Sequence, residues 1–163
     1  MRSCRAGGSA QSEGFPTHEP GVDPELDDGF REIIEDRAKH APFYRLMGME
    51  VAALWRGGAL IRLEAGPAHL DESGSVHPGV IFALADAASG VSLATMFHRG
   101  SRRVVTVEMK VNFVAPAGEG ALMGRGRVVA EDGEVAVCEA EVRDEKDVLV
   151  ARSMATFMKV RSQ

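Results

Sequence analysis

The chain has 163 residues, of which 45% are hydrophobic and 26% charged, and these values are typical of one globular domain. Its formal net charge of −5 at pH 7 argues against nucleic acid or an anionic membrane as a partner, because both are bound through phosphate. The two cysteines, Cys4 and Cys138, lack the spacing of metal ligands and fit a reducing compartment. No apolar stretch of signal-peptide length follows Met1, so we expect a cytoplasmic protein.

The N-terminal part of the chain divides into a tail and a helical extension. Residues 1–22 are rich in glycine, serine and proline, so we expect a disordered tail. Asp23 followed by Pro24 favours a helix start, because aspartate is a good N-cap and proline suits the first helical turn. A short helical turn is predicted over 41–48, and residues 23–163 are expected to form one domain.

Six segments with alternating apolar and polar residues predict an antiparallel sheet. The segments cover approximately 49–55, 59–65, 105–113, 121–131, 134–144 and 147–160. Gly57-Gly58 is the predicted turn of the first hairpin, and Asp132-Gly133 is the predicted type I′ turn of a later one. The edges of such a sheet favour dimerisation, because their backbone groups are unpaired.

Segment 105–113 shows the clearest alternation in the chain. We expect one apolar face, made of Val105, Val107, Met109, Val111 and Phe113. Thr106 would then lie on the opposite face, together with Glu108, Lys110 and Asn112. This pattern predicts a regular strand.

The central segment, 80–97, is apolar or small throughout except for one carboxylate, that of Asp86. A helix that is apolar on every side must be buried on every side. The acid within the segment, and His98-Arg99 after it, argue against a membrane span. Because five alanines and one glycine make this helix thin, we predict a curved sheet wrapped closely around it.

Asp86 is the strongest candidate for chemistry, because an ionised carboxylate that is buried without a partner is strongly unfavourable. On a helix it shares a face with Phe82, Ala83, Ser89 and Gly90. Three of these four residues are small, so the carboxylate would project into a shallow gap that suits a ligand. The alternative is a carboxylate hydrogen-bonded by a neighbouring strand or by a partner subunit, and the sequence leaves both open.

His77, Pro78 and Gly79 directly precede this helix. Free N–H groups at a helix start, together with the positive end of the helix dipole, can polarise a carbonyl oxygen. His77 is either a structural residue that holds the turn or a proton-transfer group, and the spacing alone does not decide between them.

The segment 70–90 resembles the signature of hotdog-fold acyl-CoA thioesterases. It is most similar to the branch that includes the phenylacetate-pathway and 4-hydroxybenzoyl-CoA thioesterases, in which an acid follows a histidine by nine residues. His77 and Asp86 keep this interval, and 106–116 resembles the strand that follows the helix in this family. The resemblance covers about 43–160 and implies an α+β hotdog fold, in which a curved antiparallel sheet wraps around one long helix.

The resemblance also implies a function, the hydrolysis of a small or medium acyl-CoA to the free acid and CoA. Asp86 would be the catalytic base or nucleophile, with His77, Gly79 and Thr106 as further catalytic residues. The substrate-binding residues implied are Asp71, Pro78, Val80, Phe82, Ser89, Arg102 and Arg103. No metal and no cofactor other than the CoA of the substrate is implied, and the active site would lie between the subunits of a homodimer, or of a dimer of dimers.

Two residues depart from the family pattern. Asp71 replaces an asparagine, and Pro78 replaces a glycine whose N–H polarises the thioester carbonyl in relatives. Proline has no N–H, and loss of one such donor typically slows catalysis by about 100- to 1,000-fold. Either the amide of Gly79 or Val80 takes over, or the protein is a non-catalytic acyl-CoA-binding member of the fold.

Arg99, Arg102 and Arg103 cluster after the central helix. Arginine suits the phosphates of CoA, which makes this cluster a candidate binding site for them. Cations at the end of a helix also complement its dipole without any ligand, and the sequence does not favour one explanation over the other.

Overall fold

A computed structural model describes residues 26–97 and 102–161. The predicted tail, the N-cap candidate Asp23 and the arginine candidate Arg99 lie outside these residues. The described part contains three α-helices, α1 Asp28–His40, α2 Pro42–Met47 and α3 Pro78–Ala94. It also contains six strands, β1 Met49–Trp55, β2 Gly58–Ala65, β3 Arg102–Phe113, β4 Gly120–Asp132, β5 Val135–Asp144 and β6 Leu149–Arg161.

The six strands form one antiparallel sheet in the order β1-β2-β4-β5-β6-β3, and the sheet curves around α3. Helices α1 and α2 pack beside β1, at one end of this order. The predicted architecture is confirmed: one long central helix, a curved sheet and an N-terminal helical extension. In the part of the chain that the structure describes, no helix is long and apolar enough to cross a membrane.

Helix α1 begins later than predicted, because Asp27 caps it instead of Asp23. Asp27 Oδ1 accepts a hydrogen bond from the N–H of Phe30 over 3.0 Å. The buried face of the helix consists of Phe30, Ile34 and Ala38. Helix α2 ends at Met47 and is capped by Gly48, whose φ of 65° lies in the left-handed region that favours glycine. The chain therefore turns into β1 immediately after α2.

Both predicted hairpin turns are displaced by one residue. Trp55 pairs with Gly58, so the first turn is Arg56-Gly57. Gly58 is thus the first residue of β2, and a side chain would not fit there, since a β-carbon would lie 1.9 Å from Nε1 of Trp55. The later turn is Gly133-Glu134 rather than Asp132-Gly133.

Helix α3 packs very closely against β4, because two glycines of the strand face it. A β-carbon on Gly124 would lie 2.9 Å from Cγ of Leu84, and one on Gly126 would lie 2.2 Å from the carbonyl oxygen of Ala88. The predicted close approach of sheet and helix is confirmed. The stripe of α3 that carries Asp86 is less buried and faces away from β4.

The predicted regularity of β3 is wrong, because a β-bulge interrupts the strand after Thr106. Thr106 pairs with Phe157 on β6, and Glu108 pairs with the preceding residue Thr156. Val107 therefore has no partner of its own, which is the defining feature of a bulge.

The bulge changes which side chains of β3 face the helix. Thr106 faces α3 before the bulge, and Met109 and Val111 pack against the core after it. Val105 and Val107, predicted on the inner face, are 46% and 57% exposed. One extra residue thus brings a hydroxyl to the helix where regular alternation predicts a valine.

Candidate active site

Asp86 and Thr106 form the polar centre of the site. The Thr106 hydroxyl donates a hydrogen bond to Asp86 Oδ1 over 2.9 Å and so joins β3 to α3. Burial raises the pKa of Asp86, while the hydrogen bond from Thr106 opposes that shift. A half-buried carboxylate of raised pKa is a suitable proton acceptor for a water molecule.

A cleft of about 320 Å³ opens beside this pair. Its walls consist of Phe43, Tyr44, Ala83, Asp86, Ala87, Gly90, Val91, Ala94, Val104, Thr106 and Phe157. Asp86 therefore has a hydrogen-bond partner on a neighbouring strand and also faces an open space. The sequence left open whether this carboxylate faces a ligand gap or is hydrogen-bonded by a neighbouring strand, and the structure shows both features.

The predicted neighbours of Asp86 separate into two groups. Ala83 and Gly90 line the cleft, whereas Phe82 and Ser89 do not. Phe82 is 40% exposed, and Ser89 is fully buried in the core, where its Oγ has no hydrogen-bond partner among the described residues. The stripe that faces the cleft is thus centred on the small residues of α3.

Sequence reasoning missed Tyr44, which α2 places in the wall of the cleft. Burial and the negative charge of Asp86 raise the pKa of Tyr44 to about 12, so its phenol is neutral at physiological pH. The signal that could have found it is the short helix before β1, which carries the only tyrosine of the chain.

The turn before α3 already uses the two amides that could replace the donor lost at Pro78. His77 is the N-cap of α3, and its Nδ1 accepts a hydrogen bond from the Gly79 N–H over 2.9 Å. The Val80 N–H donates to the carbonyl oxygen of His77 over 2.9 Å. A thioester oxygen could use the Gly79 amide only after the His77 ring has released it.

Asp71 lies in an exposed turn and does not line the cleft. Its Oδ1 accepts hydrogen bonds from the Ser73 hydroxyl over 2.6 Å and from the Ser73 N–H over 2.8 Å. Both hydrogen bonds lower the pKa of Asp71, so this carboxylate stays ionised. In this structure Asp71 organises the loop before His77.

The arginine candidates lie at the start of β3. Arg103 is exposed there, whereas the side chain of Arg102 lies outside the described residues. Two arginines of β4 make other contacts: Arg125 lies 5.4 Å from the centre of the Trp55 ring, and Arg127 forms an ion pair with Glu139.

The chain matches a family model described as Thioesterase superfamily over residues 73–151. It is also 30% identical to a mutant of the phenylacetic acid degradation protein PaaI from Thermus thermophilus, covering 72% of this chain and 98% of that one, with a TM-score of 0.65. The protein therefore belongs to the thioesterase superfamily. This membership supports the hydrolysis of acyl thioesters as its general activity.

Two solved structures of lower identity have the same fold. A thioesterase family protein from Silicibacter pomeroyi is 23% identical, covers 82% of this chain and all (100%) of its own, and gives a TM-score of 0.76. The PaaI protein of the phenylacetic acid degradation operon of E. coli is 17% identical, with coverages of 85% and 96% and a TM-score of 0.74. The predicted hotdog fold is confirmed, and these proteins are consistent with the branch to which the sequence was compared.

Proposed function

We propose that the protein hydrolyses a small or medium acyl-CoA thioester to the free acid and CoA, with Asp86 as the catalytic carboxylate. The observation that carries this proposal is the Asp86–Thr106 hydrogen bond at the edge of an open cleft. Asp86 is the only charged residue of α3, and its side chain meets both the cleft and a hydroxyl of the facing strand.

The chemistry follows from the two oxygens of the carboxylate. Thr106 holds Oδ1, and we assign Oδ2 to the attacking water. As a base, Asp86 takes one proton while the water oxygen bonds to the thioester carbon. The carbon–sulfur bond then breaks, and the CoA sulfur leaves as a thiol with the proton that Asp86 took from the water, which regenerates the carboxylate. As a nucleophile, Asp86 would itself bond to the carbonyl carbon as the carbon–sulfur bond breaks and the CoA sulfur leaves with a proton from water, and water would then hydrolyse the resulting anhydride to the free acid and regenerate the carboxylate.

The test replaces Asp86 by asparagine, which keeps the shape and can still accept the Thr106 hydrogen bond. We expect release of free thiol from a panel of acyl-CoAs to fall by about 100-fold or more, the usual contribution of a general base. Asp132→Asn is the matched control, since Asp132 lies in an exposed hairpin far along the sheet. Near-full activity of Asp86→Asn would overturn the proposal.

A second candidate function is non-catalytic binding of acyl-CoA. Three observations favour it: Pro78 has no N–H, and the amides of Gly79 and Val80 are both hydrogen-bonded to His77. We expect Pro78→Gly to raise turnover by up to about 100-fold if the missing amide limits the reaction. Binding without turnover on every chain length, in the wild type and in this variant, would establish the binding function instead.

The proposal extends to the rest of the substrate and to the assembly. Arg102 and Arg103 would hold the phosphates of CoA, because both begin the strand that carries Thr106. We further propose a homodimer, assembled into a dimer of dimers, and a cytoplasmic location. We propose no nucleic-acid or membrane partner, in keeping with the acidic net charge.

A further inference from the structure

A second cavity, of about 530 Å³, lies between α1, α2 and the start of β1, and the proposed reaction does not use it. Tyr44 lines both this cavity and the cleft beside Asp86. Its side chain therefore stands between the two spaces. The phenol of a tyrosine is uncharged at physiological pH, so the ring presents a neutral wall to both spaces.

The lining of the second cavity indicates which part of a substrate it would take. Its floor is apolar, with the ring of Tyr44, the buried Met49 and the half-buried Val51.

The rest of the lining consists of Gly48 and four charged residues, Glu35, Lys39, Arg45 and Glu50. The charges of the two acidic and two basic side chains cancel, so the cavity has no net charge that would attract an anion such as a CoA phosphate. An uncharged hydrocarbon or aromatic group suits an apolar floor of this kind.

We propose that Tyr44 sets the length of the acyl group that the Asp86 site accepts, by closing the passage from the cleft into the second cavity. This inference rests on the proposed function, since it assumes that the acyl group of a thioester occupies the cleft. Removal of the ring would join the two spaces. Longer acyl groups would then bind about fourfold more tightly for each additional buried methylene, the value expected from hydrocarbon transfer.

The test measures the affinity of non-hydrolysable acyl-CoA thioethers, from acetyl to dodecanoyl, by titration calorimetry. Tyr44→Ala removes the partition, and we expect its optimum to move to longer chains. Tyr44→Phe keeps the ring and should keep the wild-type optimum. Leu46→Ala is the matched control, because Leu46 lies on the same helix, is 78% exposed and lines neither space.

A second pair of variants keeps the test informative if Tyr44→Ala does not fold. In Tyr44→Leu the leucine is smaller than tyrosine but still packs in an apolar wall, so this variant should also bind longer acyl chains best. Adding Val51→Phe to either variant fills the second cavity and should reverse the gain for long chains.

An unchanged chain-length profile in folded Tyr44→Ala and Tyr44→Leu would overturn the inference, as would an equal shift in Leu46→Ala. Thioether binding without any hydrolysis of the matching thioesters would refute the proposed function alone, because the role of Tyr44 is measured by binding. Unchanged profiles with normal hydrolysis would refute the inference alone. A failure of every thioether to bind would overturn both.

Discussion

At the scale of single residues, the site depends on one carboxylate that can accept a proton although it lies on a largely buried helix, where an unpaired charge is unfavourable. Burial raises the pKa of Asp86, and the Thr106 hydroxyl offsets part of this effect by hydrogen-bonding the ionised form. The balance leaves an acid whose pKa lies above that of a solvated aspartate, so its ionised form is the stronger base. Thr106 therefore adjusts the protonation of Asp86 as well as its position.

This balance predicts a pH effect for Thr106→Val, which removes the hydroxyl and keeps the shape. The hydrogen bond lowers the pKa of Asp86, so its loss raises that pKa and moves the acid limb of the profile of kcat/KM against pH to higher pH. We also expect roughly tenfold lower kcat/KM at neutral pH, the scale of one hydrogen bond to a charged group. Thr106→Ser should retain the wild-type limb, and an acid limb that does not move in Thr106→Val would contradict this assignment.

The residues of the site differ in how far the sequence reveals them. Asp86 is identifiable from the pattern alone, because a single acid in an apolar helix has few explanations. Thr106 is accessible only through the family resemblance, since regular alternation places it on the outer face. The sequence marks Tyr44 only as the single tyrosine of a short helix, because its role depends on two cavities that form when α2 packs beside α3 and β1.

At the scale of elements, the long strands and the central helix are predictable because their hydrophobic patterns are long and strong. The turns and the bulge are less predictable from the sequence. A glycine pair such as Gly57-Gly58 allows the turn at more than one position, and the register is decided by the Trp55 ring, which covers Gly58. The bulge at Val107 leaves no local signal, because valine fits a regular strand equally well.

The contact between α3 and β4 leads to a prediction for Gly126→Ala. The new β-carbon would lie 2.2 Å from the backbone oxygen of Ala88, so strand or helix must shift. We expect the free energy of unfolding to fall by about 1–3 kcal/mol, as for other overpacked cores. Urea denaturation measures this, with Gly118→Ala as the control because nothing lies within 4 Å of a β-carbon there. Equal stability of the two variants would show that the helix is not held as closely as described.

At the scale of the whole molecule, the sheet ends at β3 in the described part of the chain, and this edge carries several exposed apolar side chains among its polar ones. The exposed residues of β3 and of the segment after it include Val105, Val107, Phe113 and Val114. An edge strand with apolar side chains is unfavourable in an isolated subunit. Pairing of two β3 edges would cover it and would bring a second chain towards the Asp86 cleft, which is the dimer that we propose.

The dimer proposal predicts that Val107→Asp yields monomers, because an unpaired charge would be buried in the interface. Sedimentation velocity measures the change, and hydrolysis should fall with it since the site would lie between subunits. Val148→Asp is the control, because Val148 is 44% exposed but lies in the turn between β5 and β6. A Val107→Asp protein of wild-type mass would exclude the β3 edge as the interface.

The hydrogen bond at the start of α3 constrains the chemistry of its capping ring. Since Nδ1 of His77 is an acceptor, the neutral imidazole carries its hydrogen on Nε2 and presents a donor to its surroundings. A hydrogen on Nδ1 is incompatible with this bond, so the ring keeps the Gly79 amide only in the tautomer that leaves Nδ1 bare. Any oxygen that settles at this helix terminus therefore competes with the imidazole for a single backbone hydrogen.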